Sequence, residues 1–291
     1  MRKLLLGAAL LGLMATTTLA ADVTLSNGLA GTSQYSVVID ENAYSWQAYI
    51  QAPGQGVENL MYDYIPYLCV GAGSARLGGG VWGDSDASDG IVTSGGVTSG
   101  IAWSVTHTLP AGGTVMSSRY TLTNATGGSL PALRFFQYLD EDVYGVSNNI
   151  LVVSGSIAGG DLQLLTVEPT IRAGVSQSGD ATATGWAADE WADLRTALGA
   201  GGYDAPPGGF VDTVDMPAIV DPYYGPAYGP ADSTTCMEWQ IAAGLTSFSF
   251  TAALGGLPEA PPPPGAIPEP ATLALLGLGG LVALYRRRRA A

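Results

Sequence analysis

The segment from Ile101 to Thr123 reads IAWSVTHTLPAGGTVMSSRYTLT. Apolar and small polar side chains alternate on both sides of the pair Gly112-Gly113. A period of two places alternate side chains on opposite faces of a strand, and glycine suits the positive φ angles of tight turns. The segment therefore predicts two strands, Ile101–Leu109 and Val115–Thr123, joined by a turn.

Segments of the same kind recur along the chain between glycine-rich turns. The others are Tyr35–Ile39, Tyr44–Gln51, Leu133–Leu139, Ile150–Ser154, Leu162–Val167, Glu238–Ala242 and Phe248–Ala253. Short strands at this spacing are typical of an all-β fold, and we predict an antiparallel β-sandwich.

One segment departs from the period of two. Thr184 is of a type that caps helices, Gly199 is of a type that ends them, and Leu194 and Leu198 stand at helical spacing between them. These residues predict one short helix packed on the sandwich. Proline and glycine then predict a long loop from Tyr203 to Pro230.

Both ends of the chain carry targeting patterns. Arg2 and Lys3 precede the apolar stretch Leu4–Met14, and small residues follow up to Ala20, which predicts a secretory signal peptide over residues 1–20. At the other end, the 15 residues Ala271–Tyr285 are uncharged, which predicts a single, short transmembrane helix. A cytoplasmic stop follows it, formed by Arg286, Arg287, Arg288 and Arg289. A simple C-terminal anchor would show the same pattern.

The C-terminal arrangement also carries a more specific pattern. Pro268, Glu269 and Pro270 stand directly before the apolar run and the arginines. This order resembles the PEP-CTERM sorting signal of exported proteins in Gram-negative bacteria that make exopolysaccharide. The resemblance implies an exosortase-type processing enzyme as partner and a transient tether in the inner membrane. The protein would then reach the outer envelope, cell surface or extracellular matrix. The resemblance implies no activity for the rest of the chain.

These patterns divide the chain into four parts. The signal peptide covers residues 1–20, the sandwich body 21–256, a proline-rich linker 257–266 and the sorting signal 267–291. Residues 21–267 contain 24 acidic residues, five arginines and no lysine. Such a charge repels nucleic acid, and it is suited to attracting divalent cations. A role in solubility alone is the alternative.

The sequence contains two cysteines, Cys69 and Cys236. Export favours disulfides, and a bridge here would close a loop of 168 residues. The chain-entropy model assigns such a loop roughly 5 kcal/mol of stabilisation. Two unpaired thiols are the alternative, because sequence does not show proximity.

A first candidate binding face lies on the predicted strand Leu133–Leu139 and its continuation. Phe136, Tyr138, Asp140 and Asp142 alternate onto one side of this strand. Aromatic rings combined with carboxylates suit sugar recognition, and two carboxylates also suit glycoside hydrolysis. An outer strand face running into an acidic turn is the plainer alternative.

A second candidate site is an acidic turn that contains Asp84, Asp86 and Asp89. Alternating oxygen ligands before a glycine bind Ca²⁺ in some loops, although this segment lacks the spacing of an EF-hand. A solvated turn is the alternative. Apart from Ca²⁺, the sequence indicates no cofactor.

The pattern of reactive side chains favours a body without catalytic activity. His107 is the single histidine, and its place on an alternating strand is typical of a packing residue. The sequence contains no G-x-S-x-G elbow, no zinc-ligand spacing and no P-loop. We therefore expect a non-enzymatic structural or adhesive protein. The alternatives are a carbohydrate-binding module that recognises exopolysaccharide and a glycoside-active enzyme.

Overall fold

The computed structural model describes most of the body between residues 21 and 255. The described residues are 21–30, 34–51, 57–71, 73–143, 149–168, 171–179, 181–199, 213–214, 216, 218–221 and 225–255. The predicted signal peptide, linker and sorting signal lie outside these ranges. Within these ranges, no helix has the length and apolarity needed to cross a bilayer.

The described chain consists mainly of strands. In chain order they are β1 (Val23–Ser26), β2 (Tyr35–Ile39), β3 (Gln47–Gln51), β4 (Val57–Asn59), β5 (Asp63–Val70), β6 (Gly73–Arg76), β7 (Val81–Asp84), β8 (Ile91–Thr98), β9 (Ile101–Thr108), β10 (Val115–Asn124), β11 (Leu133–Asp140), β12 (Asn149–Ser154), β13 (Gln163–Glu168), β14 (Ile171–Ser178), β15 (Gly185–Glu190), β16 (Thr213–Val214), β17 (Ala218–Asp221), β18 (Gly225–Ala231), β19 (Ser233–Ile241) and β20 (Ser247–Gly255). A 3₁₀ turn covers Ala87–Asp89, and one α-helix, α1, covers Trp191–Gly199.

The strands form three sheets. A ten-stranded sheet has the order β17-β18-β12-β13-β14-β20-β10-β9-β8-β7, and a six-stranded sheet has the order β16-β15-β19-β11-β5-β6. A smaller sheet contains β1 to β4 in sequence order. Neighbouring strands are antiparallel, except for the parallel pair β15 and β16. The prediction of an antiparallel all-β sandwich with a short helix is confirmed.

Aromatic side chains join the two larger sheets. Phe135 on β11 lies 4.7 Å from Phe250 on β20 and 4.8 Å from Tyr120 on β10, measured between ring centroids. Trp239 on β19 stacks on Phe250 at 4.5 Å. All four rings are at most 1% exposed. Large buried rings contribute much of the apolar area that stabilises a fold, so this cluster forms the centre of the core.

The small sheet is fixed to the sandwich by buried polar contacts. The Tyr35 hydroxyl donates a hydrogen bond to the Leu254 carbonyl at 3.1 Å. The Asn27 side chain donates to the Gly113 carbonyl at 2.9 Å. Because Leu254 lies on β20, the first part of the chain is held against its last described strand.

Helix α1 packs on the outer face of the six-stranded sheet. Leu194 and Leu198 are at most 2% exposed and belong to one apolar cluster with side chains of that face. The Ser74 hydroxyl on β6 donates to the Leu198 carbonyl at 3.0 Å. The predicted helix exists, but its predicted start at Thr184 is wrong. Residues 185–190 form β15, because they pair with β19 from Ser233 to Glu238.

The predicted loop from Tyr203 to Pro230 is partly strand. It contains β16, β17 and most of β18, and the residues between these strands include the parts outside the described ranges. β18 pairs with both β12 and β17. Pairing with a distant strand here outweighs the local turn preference of proline and glycine.

The two cysteines are free and buried, so the predicted bridge is wrong. Cys69 on β5 lies opposite Arg134 of β11, and Cys236 on β19 lies opposite Tyr138 of β11. The two cysteines are therefore separated by one intervening strand and by an offset of four residues along it. Strand spacing of ~4.8 Å and a rise of ~3.3 Å per residue then separate their Cα atoms by about 16 Å. A disulfide requires less than ~7 Å.

Candidate functional site

Acidic residues meet at one end of the six-stranded sheet. β11 is antiparallel to β5 and β19, so its last residue lies beside their first residues. Asp140 ends β11 and pairs with Asp63 on one side and Thr234 on the other. Asp232 directly precedes β19, and Asp142 follows β11 by two residues. Strand pairing therefore brings together carboxylates that are far apart in sequence.

Asp140, Asp142 and Asp232 form the tightest acidic group, which we call the acidic cluster. One carboxylate oxygen from each lies within 4.8 Å of the others. Asp140 is 2% exposed, whereas Asp142 and Asp232 are half-buried. Within the described ranges, this is the group of acidic, histidine or cysteine side chains that is close enough to share a metal ion.

The negative charges of the cluster repel one another. Burial, then the neighbouring carboxylates Asp142, Asp232 and Asp63, raise the pKa of Asp140 to about 7, while Arg195 lowers it. Burial, and then Asp232, raise the pKa of Asp142. Burial also raises the pKa of Asp232. The folded protein thus holds carboxylates in a setting that disfavours their charge.

Asp63 belongs to a separate ion pair that holds the helix. Arg195 on α1 places Nη1 2.8 Å from Asp63 Oδ2. The Tyr44 hydroxyl donates a short hydrogen bond to the other carboxylate oxygen of Asp63. Asp63 is 1% exposed, so these contacts compensate its buried charge. Asp63 therefore supports the edge of the site and is not an open ligand.

Glu141 is adjacent to the cluster in sequence but has its own partners. It is fully buried, and one of its carboxylate oxygens, Oε1, accepts a hydrogen bond from Thr235 Oγ1 at 2.8 Å. Its carbonyl accepts from the Asn149 side chain at 2.7 Å. Burial raises the pKa of Glu141 well above its ordinary value. Glu141 thus fixes the turn after β11, and alternation directs its side chain away from Asp140.

The predicted sugar-binding face is covered in the structure. Phe136 and Tyr138 are 0% exposed and share a cluster with Leu194 and Leu198 of α1. The Arg134 guanidinium lies over the Phe136 ring at 5.4 Å. A sugar stacks on an exposed ring, so neither aromatic side chain offers the expected surface. The carboxylates Asp140 and Asp142 of that predicted face do come together, as part of the acidic cluster.

In the predicted calcium-binding turn, the carboxylates form hydrogen bonds with the backbone of the turn itself. Asp84, Asp86 and Asp89 each accept a hydrogen bond from the backbone N–H two residues further on, at 2.9 to 3.0 Å. All three are exposed. Each carboxylate therefore stabilises its own local turn, and the three do not form a close metal-binding group.

Asp232 is the site residue that the sequence did not indicate. It stands alone between Ala231 and Ser233, some 90 positions after Asp140. No local motif marks it, because its place depends on the pairing of β19 with β11.

The C-terminal residues match a known family model. Residues 266–289 match the model of the PEP-CTERM protein-sorting motif. The chain carries a PEP-CTERM sorting motif at its C-terminal end. This motif implies export, sorting to the envelope and processing by an exosortase-type enzyme. The transmembrane segment predicted for this region lies outside the described residues.

The body of the chain has a distant structural neighbour. A bacterial glucoamylase, solved in complex with acarbose, is similar to 89% of this chain at 10% sequence identity and a TM-score of 0.49. The similarity covers 36% of the glucoamylase chain, so the present chain spans about a third of its length. No curated protein sequence matches the chain.

Proposed function

We propose that the body is a non-enzymatic structural or adhesive component of the envelope or extracellular matrix, delivered by its PEP-CTERM signal. The observation that carries this proposal is the separation of signal and fold. The last described strand, β20, ends at Gly255, and the matched motif begins at residue 266. The sorting signal thus begins beyond the last described strand of the sandwich.

The position of β20 supports release without unfolding. β20 lies inside the ten-stranded sheet, and Gly255 pairs with Val115 on β10 and with Gly174 on β14. Processing near Pro268 would therefore leave the last described strand paired on both sides. A body that keeps its core after processing is suited to a lasting role outside the cell.

The buried reactive groups support a role without catalysis. Asp140 has the raised pKa of a general acid, but it is 2% exposed, and a general acid must reach the glycosidic oxygen. His107 and Ser118 form a hydrogen-bonded pair of 2.9 Å, yet both are 0% exposed. A substrate carbonyl would have no access to this pair.

The test replaces Pro268, Glu269 and Pro270 with alanine in the full-length chain. We expect the variant to accumulate in the inner-membrane fraction, while the unchanged chain reaches the surface or medium. The control carries the same number of alanines in the linker, at Pro261, Pro262 and Pro263. Surface delivery of the signal variant at the level of this control would contradict the proposal.

Carbohydrate binding is the second candidate function, and Tyr62 is the observation that favours it. Tyr62 is 57% exposed, and its N–H donates to the Asp140 carbonyl at 2.9 Å. The exposed side chain of Tyr62 is therefore carried at the same end of the sheet as the half-buried carboxylates Asp142 and Asp232. A ring and carboxylates at one sheet end suit stacking and hydrogen bonding with a sugar. Binding to exopolysaccharide that is lost in Tyr62→Ala supports this function, and equal binding by both proteins contradicts it.

A further inference from the structure

The spacing of the acidic cluster fits a single hard cation. Ca²⁺ takes six to eight oxygen ligands at about 2.3–2.6 Å, so two ligands on one ion are at most about 5 Å apart. The carboxylate oxygens of Asp140, Asp142 and Asp232 lie within 4.8 Å of one another. The group contains only carboxylates, which select Ca²⁺ or Mg²⁺ over metals that prefer nitrogen or sulfur.

A buried hydroxyl on the strand face that carries Asp140 supplies a second, independent observation. Tyr138 projects from the same face of β11 as Asp140, two residues earlier. Its hydroxyl is buried and has no hydrogen-bond partner within the described structure.

The unpaired hydroxyl indicates a missing polar ligand. Leaving a buried hydroxyl without a partner is unfavourable, because the group gives up its hydrogen bond to water on folding. A hydrated cation held by the carboxylates would place a water where the Tyr138 hydroxyl could donate to it, since Ca²⁺ commonly keeps some waters as ligands. The hydroxyl and the carboxylates therefore have complementary needs that one hydrated ion satisfies.

The surrounding charges leave the cluster with an excess of negative charge. The guanidinium of Arg195 pairs with Asp63 at 2.8 Å and also acts on Asp140, so its one positive charge faces the carboxylates of Asp63, Asp140, Asp142 and Asp232. Two of the three cluster carboxylates, Asp142 and Asp232, are half-buried, so an ion can approach from solvent. Each carboxylate raises the cost of ionising the others, and a divalent cation removes that cost.

We propose that Asp140, Asp142 and Asp232 bind one Ca²⁺ ion at the end of the six-stranded sheet. The ion would join the end of β11 to the start of β19, and Tyr138 would orient one of its waters. The site stands independently of the proposed structural role, because it requires only the folded body.

The experiment titrates CaCl₂ into metal-stripped, full-length protein in a mild detergent. Isothermal titration calorimetry measures the heat of binding at each addition. We expect one bound ion with a Kd on the order of 0.1–1 mM, as in extracellular calcium modules. Asp142→Asn and Asp232→Asn should each weaken binding by about tenfold or more, because each removes a charged ligand. Tyr138→Phe should produce a smaller loss, because it removes only an outer partner.

Matched controls keep the result interpretable. Asp86→Asn makes the same chemical change in the exposed turn and should leave the Kd unchanged. Far-UV circular dichroism of each variant confirms that the fold is retained, and both tested aspartates are half-buried, so folding should survive. Absence of Ca²⁺ binding to the unchanged protein overturns the proposal. Loss of binding in Asp86→Asn, with Asp142→Asn and Asp232→Asn unaffected, overturns it as well. Correct surface delivery of a non-binding protein would refute the ion site alone.

Discussion

His107 makes the core of the sandwich sensitive to acid. The imidazole is 0% exposed, and its Nδ1 atom lies 2.9 Å from Ser118 Oγ on the adjacent strand β10. The other ring nitrogen, Nε2, is buried and has no hydrogen-bond partner in the described structure. Burial lowers the pKa of His107 to about 3. The folded protein therefore requires the neutral ring.

The size of the acid effect follows from the two pKa values. The unfolded chain titrates near the ordinary value of 6.5, and the folded protein near 3. Because the folded pKa is depressed, the unfolded chain takes up a proton first as the pH falls. The contribution of neutral His107 is complete above pH 6.5 and is lost progressively as the pH falls towards 3. At pH 4.5 the loss amounts to about 3 kcal/mol, at 1.36 kcal/mol for each pH unit below 6.5.

The assay compares the unchanged protein with His107→Asn, whose amide can keep a hydrogen bond to Ser118. Urea unfolding at pH 7.5 and pH 4.5 gives the change in unfolding free energy for each protein. Buried acids such as Glu141 titrate in both proteins, so their effects cancel in the difference. The unchanged protein should lose about 3 kcal/mol more than the variant between the two pH values. Equal pH dependence in both proteins would refute the reasoning.

Two further predictions concern the core and the thiols. Phe250→Ala should destabilise the fold by about 3–5 kcal/mol, because it empties a site that contacts rings of both large sheets. Phe248→Ala, the same change at a half-buried position of β20, should cost clearly less in the same urea titration, and equal losses would contradict the assigned core. Alkylation with iodoacetamide in denaturant without reductant should label both Cys69 and Cys236, because they are free in the structure. In mass spectrometry, an unlabelled chain whose mass is two hydrogens below that of the chain with two free thiols would show a disulfide instead.

Local alternation was a reliable guide to strands whose two faces differ. Tyr35–Ile39 coincides with β2, and the predicted strands at Ile101 and Val115 differ from β9 and β10 by one residue at an end. β5 has no such signal, because six of the seven residues Asp63–Cys69 are apolar or aromatic and both of its faces are buried. Its interior also contains Pro66, which normally argues against a strand.

The surroundings of Pro66 explain how β5 tolerates it. Within a strand, the N–H and C=O of one residue point to the same side. The Pro66 carbonyl accepts a hydrogen bond from Leu77, on the side of β6. The Pro66 nitrogen, which carries no hydrogen, therefore also points to the side of β6, beyond the end of that short strand. The pairing of β5 with β11 on the opposite side loses no hydrogen bond.

The predicted helix shows the limit of periodicity. Leu194 and Leu198 have helical spacing and are buried as α1 requires. The preceding residues Gly185–Glu190 contain alanines that suit a helix equally well, but they complete the ladder of β19. A helix N-terminus cannot be placed by local propensity when a distant strand competes for the same residues.

The sequence alone determined the destination of this protein and its all-β class. The sorting signal is a contiguous segment from Pro268 to Arg289, and alternation over a few residues predicts a strand. The sorting signal and the strand pattern are therefore both local properties of the sequence. Only the tertiary structure decided which side chains meet. The separation of Cys69 from Cys236, the burial of Phe136 and the approach of Asp232 to Asp140 all depend on which strands pair with β11. Pairing and register are set by packing across the whole sheet, and no local stretch of sequence encodes them.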